Sequence, residues 1–167
     1  MKFSASAFAL ASTLALGFAS PAPAHQEVVG NLKIGHPWVR EVKVGVDGST
    51  YGCIIEIKNE GDEPETLLGA TIDGAGTGVI YQIIEKDGKF SSKPVEHGLL
   101  IGPHRSIELT PATYQIRFGN ITKTLTEDSM VEGTLIFEHL HSVPVHFMVE
   151  QDDTAPKEEA ASGHQGM

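Results

Sequence analysis

Residues 27–40, with the sequence EVVGNLKIGHPWVR, carry the strongest local folding signal in the chain. Gly30-Asn31 lies between two short apolar runs, and a Gly-Asn pair at such a position is typical of a two-residue turn between antiparallel strands. This turn would pair the flanking residues one to one, so that His25 faces His36 across the hairpin. Directly opposed residues have Cβ atoms about 5 Å apart on the same face of a sheet. The stretch therefore predicts a β-hairpin that places two imidazole rings side by side.

Short apolar segments separated by turns continue on the C-terminal side of this hairpin. Stretches such as Asn59-Glu60-Gly61-Asp62 separate them, and Gly, Asn and Asp favour turns. No window after residue 24 sustains a helical apolar period. Regular short strands with frequent turns are typical of an all-β antiparallel sandwich or barrel. The predicted strands are Glu27–Val29, Leu32–Arg40, Tyr51–Lys58, Glu65–Ile72, Gly78–Glu85, Leu99–Ile101, Ser106–Leu109, Tyr114–Phe118, Val131–Phe137 and Val143–Glu150.

The first 24 residues have the composition of a secretory signal peptide. Lys2 is their only charge, an apolar run covers Ala7 to Phe18, and the segment ends in Ala22-Pro23-Ala24, the small-x-small pattern that signal peptidase recognises. The apolar run is shorter than the roughly 20 residues of a membrane span, which favours cleavage. The alternative is an uncleaved membrane anchor. We therefore expect a protein secreted to the periplasm, whose mature chain begins at His25.

The remaining chain divides at about residue 150. Residues 25–150 are long enough for one domain with its own core. Residues 151–167 are rich in Asp, Glu, Lys, Ala and Gly and lack a core-forming pattern, so we expect a disordered acidic tail. The predicted organisation is a signal peptide over 1–24, a β-sandwich domain over 25–150 and a tail over 151–167.

Charge and cysteine content exclude several function classes. The chain has 22 Asp and Glu against 12 Lys and Arg, a formal net charge of −10. Nucleic acid and anionic lipid bind clustered Lys and Arg, so neither is an expected partner. Cys53 is the only cysteine, so an intramolecular disulfide is impossible. Its apolar surroundings predict a buried thiol, and a thiolate metal ligand is the alternative.

Cleavage before His25 would also free the α-amine of that residue. An N-terminal histidine can chelate through this amine and its ring Nδ1 together, and a metal can displace the amine proton at neutral pH because the ordinary amine pKa is about 8. With His36, the three nitrogens form the T-shaped arrangement called a histidine brace. Nitrogen ligands in a tetragonal plane favour Cu(II). We therefore predict copper at His25 and His36. The alternative is that His25 stays in solvent and His36 caps the turn before Pro37.

Other histidines are weaker candidates for metal ligands. His139 and His141 would lie on one face if their segment were extended, which would give a second site, although exposed histidine pairs are commonly solvated turn residues. His146 lies in the last predicted strand and is a candidate for a third imidazole near the brace. His97 and His104 flank turns and carry less weight.

Four stretches of the sequence resemble a known protein family. They are GHPWVR at residues 35–40, IKNEGDEPETLLGA at 57–70, KPV at 93–95 and IEL at 107–109. Together they resemble the periplasmic copper chaperone family PCuAC, from about His25 to Glu150. The resemblance implies a cupredoxin-like antiparallel Greek-key β-sandwich that carries copper. It also implies a recipient copper protein of the periplasm or inner membrane, such as cytochrome oxidase.

The chain departs from that family at the usual Cu(I) ligands, which are two His-x-Met pairs and a further Met. The resemblance places these ligands at residues 81–83, near Ser92 and at residues 115–117, which here read Tyr-Gln-Ile, Ser and Gln-Ile-Arg. None of those residues offers a thioether or an imidazole, and soft sulfur ligands select Cu(I). We therefore expect Cu(II) to be favoured over Cu(I).

Two other functions stay open at this point. A histidine brace is also the site of copper-dependent oxidases, but the chain shows no aromatic platform for a substrate, and we expect a carrier rather than an enzyme. A metal-free structural or interaction sandwich with a decayed site is the other alternative. The sequence holds no Gly-x-Ser-x-Gly elbow and no phosphate-binding loop.

Overall fold

The computed structural model describes residues 26–151, and its regular elements in that range are all β-strands. The all-β prediction is therefore confirmed. The predicted signal peptide, His25 and the tail after Gln151 lie outside the described residues. Within residues 26–151 there is no helix of the length and apolarity needed to cross a membrane. The strands are β1 (Gln26–Val29), β2 (Leu32–Arg40), β3 (Ser49–Asn59), β4 (Glu65–Ile72), β5 (Val79–Lys86), β6 (Lys89–Pro94), β7 (Leu99–Ile101), β8 (Ser106–Leu109), β9 (Tyr114–Gly119), β10 (Met130–Phe137) and β11 (Ser142–Glu150).

Strand β6 is the one element that the sequence did not predict. Its residues, KFSSKP, are almost entirely exposed and show no apolar alternation. It forms because Asp87 and Gly88, with φ of +54° and +72°, make a tight hairpin turn of the kind that suits paired strands. The turn chemistry, rather than a buried face, therefore specifies this strand.

The strands are joined in the order β6-β5-β9-β3-β2-β11-β10-β4-β7, with β1 added to β2 and β8 to β3. Every pairing is antiparallel except that of β11 with β2, which is parallel. The sheet doubles over on itself, since the rings of Phe118 on β9 and Phe147 on β11 meet edge to face at 6.4 Å. Both rings are fully buried, and burying one such side chain contributes about 1.5–3 kcal/mol.

The β1–β2 hairpin has the register that the Gly30-Asn31 turn predicts. Val29 lies opposite Leu32, and the pairing continues to Gln26 opposite Gly35. Gly30 has a φ of +57°, a left-handed conformation that glycine adopts without steric cost. Because β1 has only four residues, it pairs with only the first half of β2, Leu32 to Gly35.

Strand β11 replaces β1 along the second half of the same edge of β2. Met148 pairs with Trp38, and Glu150 pairs with Arg40. His36 lies between these two pairings. The edge of β2 near His36 is thus the place where three strands, β1, β2 and β11, approach one another.

The backbone of His36 changes which residues of β2 face the core. Its φ of +46° lies in the left-handed region, which is uncommon for a residue other than glycine. Ile34 before it and Val39 after it are fully buried, so the alternation of buried positions shifts by one residue across His36. As a result His36, Trp38 and Arg40 are all half-buried and lie on the outer face.

Candidate metal-binding face

A short contact holds the ring of His36. Its Nε2 lies 2.6 Å from Oε1 of Glu150, the last residue of β11. Because this contact occupies Nε2, the second ring nitrogen, Nδ1, is left for another ligand. The described register ends at Gln26, one pair short of His25. That His25 faces His36 therefore stays a prediction.

His146 is linked to the same strands through Glu27 of β1. Oε1 of Glu27 accepts a hydrogen bond from the backbone N–H of His146 at 3.1 Å and lies 3.5 Å from Nδ1 of its ring. His146 lies two residues before Met148, which pairs with Trp38, itself two residues after His36. The structure thus places this histidine beside the hairpin, which sequence spacing alone did not indicate.

His139 anchors a loop through a buried carboxylate. Oε1 of Glu65 accepts its backbone N–H at 3.0 Å and lies 3.2 Å from its Nδ1, while Oε2 accepts the N–H of Leu140 at 3.0 Å. The segment is not extended, because it lies between β10 and β11 and His141 has a φ of +60°. The condition under which His139 and His141 would share one face is therefore not met.

These contacts change the pKa of the Glu65 carboxyl group. Burial raises its pKa, but the backbone N–H groups of His139, Thr66 and Leu140 and the ring of His139 lower it, and the net result is a pKa below the ordinary value. Glu65 is 5% exposed. A buried carboxylate that accepts several hydrogen bonds is stable in its charged form.

The residues that the resemblance assigns to the usual PCuAC copper ligands lie on the neighbouring strands β5, β6 and β9 and have other chemistry. Tyr81 pairs with Gln115, and Ile83 pairs with Ser92. The guanidinium of Arg117 lies 4.8 Å from the centre of the Tyr81 ring, and its Nε donates to Oε1 of Gln115 at 3.3 Å. A fixed cation there opposes the binding of a metal cation.

The described residues lack a group of three typical metal-binding side chains. Within residues 26–151, no three side chains of His, Cys, Asp or Glu are grouped so that they could hold one metal ion. Cys53 is fully buried. A site with three protein ligands in this part of the chain would therefore include a group other than these four side-chain types, such as a methionine sulfur, or a residue outside the range.

Similarity to known proteins identifies the family of this chain. A model of a lipoprotein family described as LpqE-like matches residues 32–149. The chain belongs to the LpqE-like family. No curated protein matches it.

Solved structures of PCuAC domains resemble this LpqE-like chain over most of its length. The apo PCuAC domain from PmoF1 is 25% identical, with a TM-score of 0.62 over 77% of this chain and 100% of that domain. The copper-bound PCuAC domain from PmoF2 is 21% identical, with a TM-score of 0.62 over 77% of this chain and 99% of that domain. Apo-DR1885 from Deinococcus radiodurans is 16% identical, with a TM-score of 0.57 over 90% and 99%. The predicted resemblance to PCuAC and the predicted sandwich fold are thus confirmed.

Proposed function

We propose that this chain is an extracytoplasmic copper-binding protein that carries copper rather than catalysing a reaction. Its similarity to PCuAC domains supports the cargo, since one of the similar domains was solved with copper bound. Its membership of a lipoprotein family supports the location. We further propose the periplasm as its compartment, cleavage after residue 24, and a folded domain over residues 25–150 followed by a disordered tail.

The proposed site is a histidine brace at His25 and His36. The observation that carries this proposal is the register of the β1–β2 hairpin, which runs to Gln26 opposite Gly35, the residues next to His25 and His36 in the chain. The α-amine and Nδ1 of His25 would supply two nitrogens, and His36 the third.

Glu150 supports the same site from β11. A histidine that ligates a metal usually donates its other ring N–H to a carboxylate, which fixes the tautomer and orients the ring. The 2.6 Å contact between Nε2 of His36 and Glu150 has this form, and Nδ1 is then the nitrogen for copper. His146, held by Glu27 beside the hairpin, is the described imidazole best placed for a further contact.

The donors favour Cu(II) over Cu(I) at this brace. All three are nitrogens, and Cu(II) prefers nitrogen ligands in a tetragonal plane. The alternative location on β5, β6 and β9 lacks sulfur and carries Arg117 beside Tyr81. The copper would pass to a recipient copper protein of the periplasm or inner membrane.

The brace is tested by titrating the chain that begins at His25 with Cu(II) and recording the electron paramagnetic resonance spectrum. One equivalent should give a signal with several nitrogen couplings. One extra residue before His25 should abolish it, because the amine becomes an amide, and His36→Ala should do the same. The matched control is His104→Ala, since His104 contacts Asp62 at 2.9 Å and lies outside the hairpin. Equal signals in all four proteins would refute the brace.

A metal-free interaction domain is the second candidate function. The observation in its favour is that residues 26–151 contain no group of three His, Cys, Asp or Glu side chains suited to one metal ion. This reading predicts no saturable copper uptake in the same titration. A copper-dependent oxidase would instead consume oxygen with a reductant present, whereas a carrier would not turn over.

A further inference from the structure

The outer face of β10 and β11 groups two methionines with a histidine. In the antiparallel register Met130 lies opposite Met148, and Glu132 lies opposite His146. The residues between them on each strand, Val131 and Phe147, are buried. Met130, Met148 and His146 therefore project from the same outward side, at neighbouring positions.

The spacing of this group suits one small ion. Directly opposed residues in an antiparallel pair have Cβ atoms about 5 Å apart, and diagonal neighbours lie about 7–8 Å apart, within reach of long side chains. Met130 is 47% exposed, and the side chain of His146 is 57% exposed. Flexible thioethers at the surface can turn toward a shared ligand without disturbing the core.

Glu27 gives the group an oriented imidazole. Its Oε1 lies 3.5 Å from Nδ1 of His146 and accepts the backbone N–H of the same residue at 3.1 Å. A carboxylate beside one ring nitrogen is the usual support of a metal-bound histidine. This contact leaves Nε2 of His146 as the nitrogen for a metal.

We propose that Met130, Met148 and His146 form a site for a soft monovalent cation, with Cu(I) as its ligand. Thioether sulfur and imidazole nitrogen are donors that suit Cu(I). The site lies on β10 and β11, whereas the positions of the usual PCuAC ligands lie on β5, β6 and β9. It rests on the proposed function only for the identity of the ion, and it does not use the amine of His25.

The site can be observed directly through the methionine methyl groups. The chain from His25 onward contains three methionines, Met130, Met148 and Met167. With carbon-13 in these methyl groups and Ag(I) as a redox-inert probe, the signals of Met130 and Met148 should shift together and saturate at one equivalent. The signal of Met167 should not saturate with them. Shifts confined to Met167, or absent at both sheet methionines, would overturn the proposal.

Substitutions give a second measurement, the affinity for Cu(I) in competition with a chromophoric chelator. Met148→Leu conserves volume and should weaken the affinity at least about tenfold, a loss of about 1.4 kcal/mol. Met167→Leu is the matched control and should leave it unchanged. Glu27→Gln should weaken binding about 10–100-fold by releasing the imidazole. Equal affinities of Met148→Leu and Met167→Leu would contradict the site.

The two copper proposals fail separately. Adding one residue before His25 removes the brace but leaves Met130, Met148 and His146 intact, so the Ag(I) shifts should persist in that variant. Met148→Leu should conversely retain the Cu(II) spectrum of the brace. Loss of the Ag(I) shifts on extension alone would show that the methionines hold no site of their own.

Discussion

Glu65 shows how one buried carboxylate can hold a loop. Both of its oxygens accept backbone N–H groups, from Thr66 at 2.8 Å and from His139 and Leu140 at 3.0 Å. The loop that these bonds fix connects β10 to β11. Since β11 carries Glu150, His146 and Met148, this carboxylate helps to set the position of the strand on which both proposed sites depend.

Replacing Glu65 with Gln should therefore destabilise the fold. An amide cannot accept hydrogen bonds at both ends, and a hydrogen bond to a charged group contributes about 1.5–3 kcal/mol. We expect a loss of this size in the free energy of urea unfolding at pH 7. The control is Glu63→Gln, because Glu63 is exposed and should change stability by less than about 0.5 kcal/mol.

The same substitution should change how stability depends on pH. The pKa of Glu65 is lowered in the folded protein relative to its ordinary value of 4.5. Its contribution is thus fully present above pH 4.5 and is lost as the pH falls through the lower folded value. The difference between wild type and Glu65→Gln should shrink below pH 4.5. A difference that stays constant down to pH 3 would contradict this account.

Glu150 is the residue whose charge should tune the proposed brace. Glu150→Gln keeps the shape of the side chain but weakens the contact with Nε2 of His36, now 2.6 Å. Loss of such a supporting carboxylate typically costs 10–100-fold in metal affinity. We expect that loss in Cu(II) affinity by calorimetry, with the overall fold retained. Glu56→Gln removes one charge from the exposed face of β3 and should have no comparable effect.

At the level of strands, local chemistry was predictable and long-range pairing was not. The Gly30-Asn31 turn specified the β1–β2 register because a two-residue turn leaves no freedom in which residues oppose. Strand β6 was missed because its residues do not bury a face. The parallel pairing of β11 with β2 joins residues more than 100 positions apart, and no local pattern encodes it. The contacts of Glu150 with His36 and of Glu27 with His146 follow from that pairing, so they were missed as well.

The central position of β10 between β4 and β11 requires a residue without a side chain at Gly133. A methyl group added there would lie 2.6 Å from the carbonyl oxygen of Thr71 and 2.7 Å from the ring of Phe147. The backbone of β4 cannot withdraw without breaking its pairing with β10. Overpacking of this kind costs about 1–3 kcal/mol.

We accordingly expect Gly133→Ala to lower the free energy of unfolding by that amount in urea titrations. Gly119→Ala is the matched control, because a methyl group there meets no atom within 4 Å and should change stability by less than about 0.5 kcal/mol. Equal stability of the two variants would show that β4 and Phe147 can move to accommodate the added methyl group.

On the scale of the whole molecule, both proposed sites lie on one surface around β2, β10 and β11. Trp38 is the only tryptophan, and it pairs with Met148 across β2 and β11 two residues after His36. Its indole is half-buried and meets the Tyr51 ring edge to face at 6.0 Å. Because paramagnetic Cu(II) quenches nearby fluorophores, this single indole reports the arrival of copper.

The net charge of −10 should govern how fast that arrival occurs. A negative protein attracts a divalent cation over the Debye length, which falls from about 30 Å at 0.01 M salt to about 10 Å at 0.1 M. In stopped-flow experiments the rate constant of Trp38 quenching by Cu(II) should therefore fall several-fold across this range. The rate of quenching by acrylamide should not change with salt, because acrylamide is uncharged and is not attracted by the net charge of the protein. A salt-independent rate for Cu(II) would mean that local ligand exchange at the hairpin, rather than long-range attraction, limits capture.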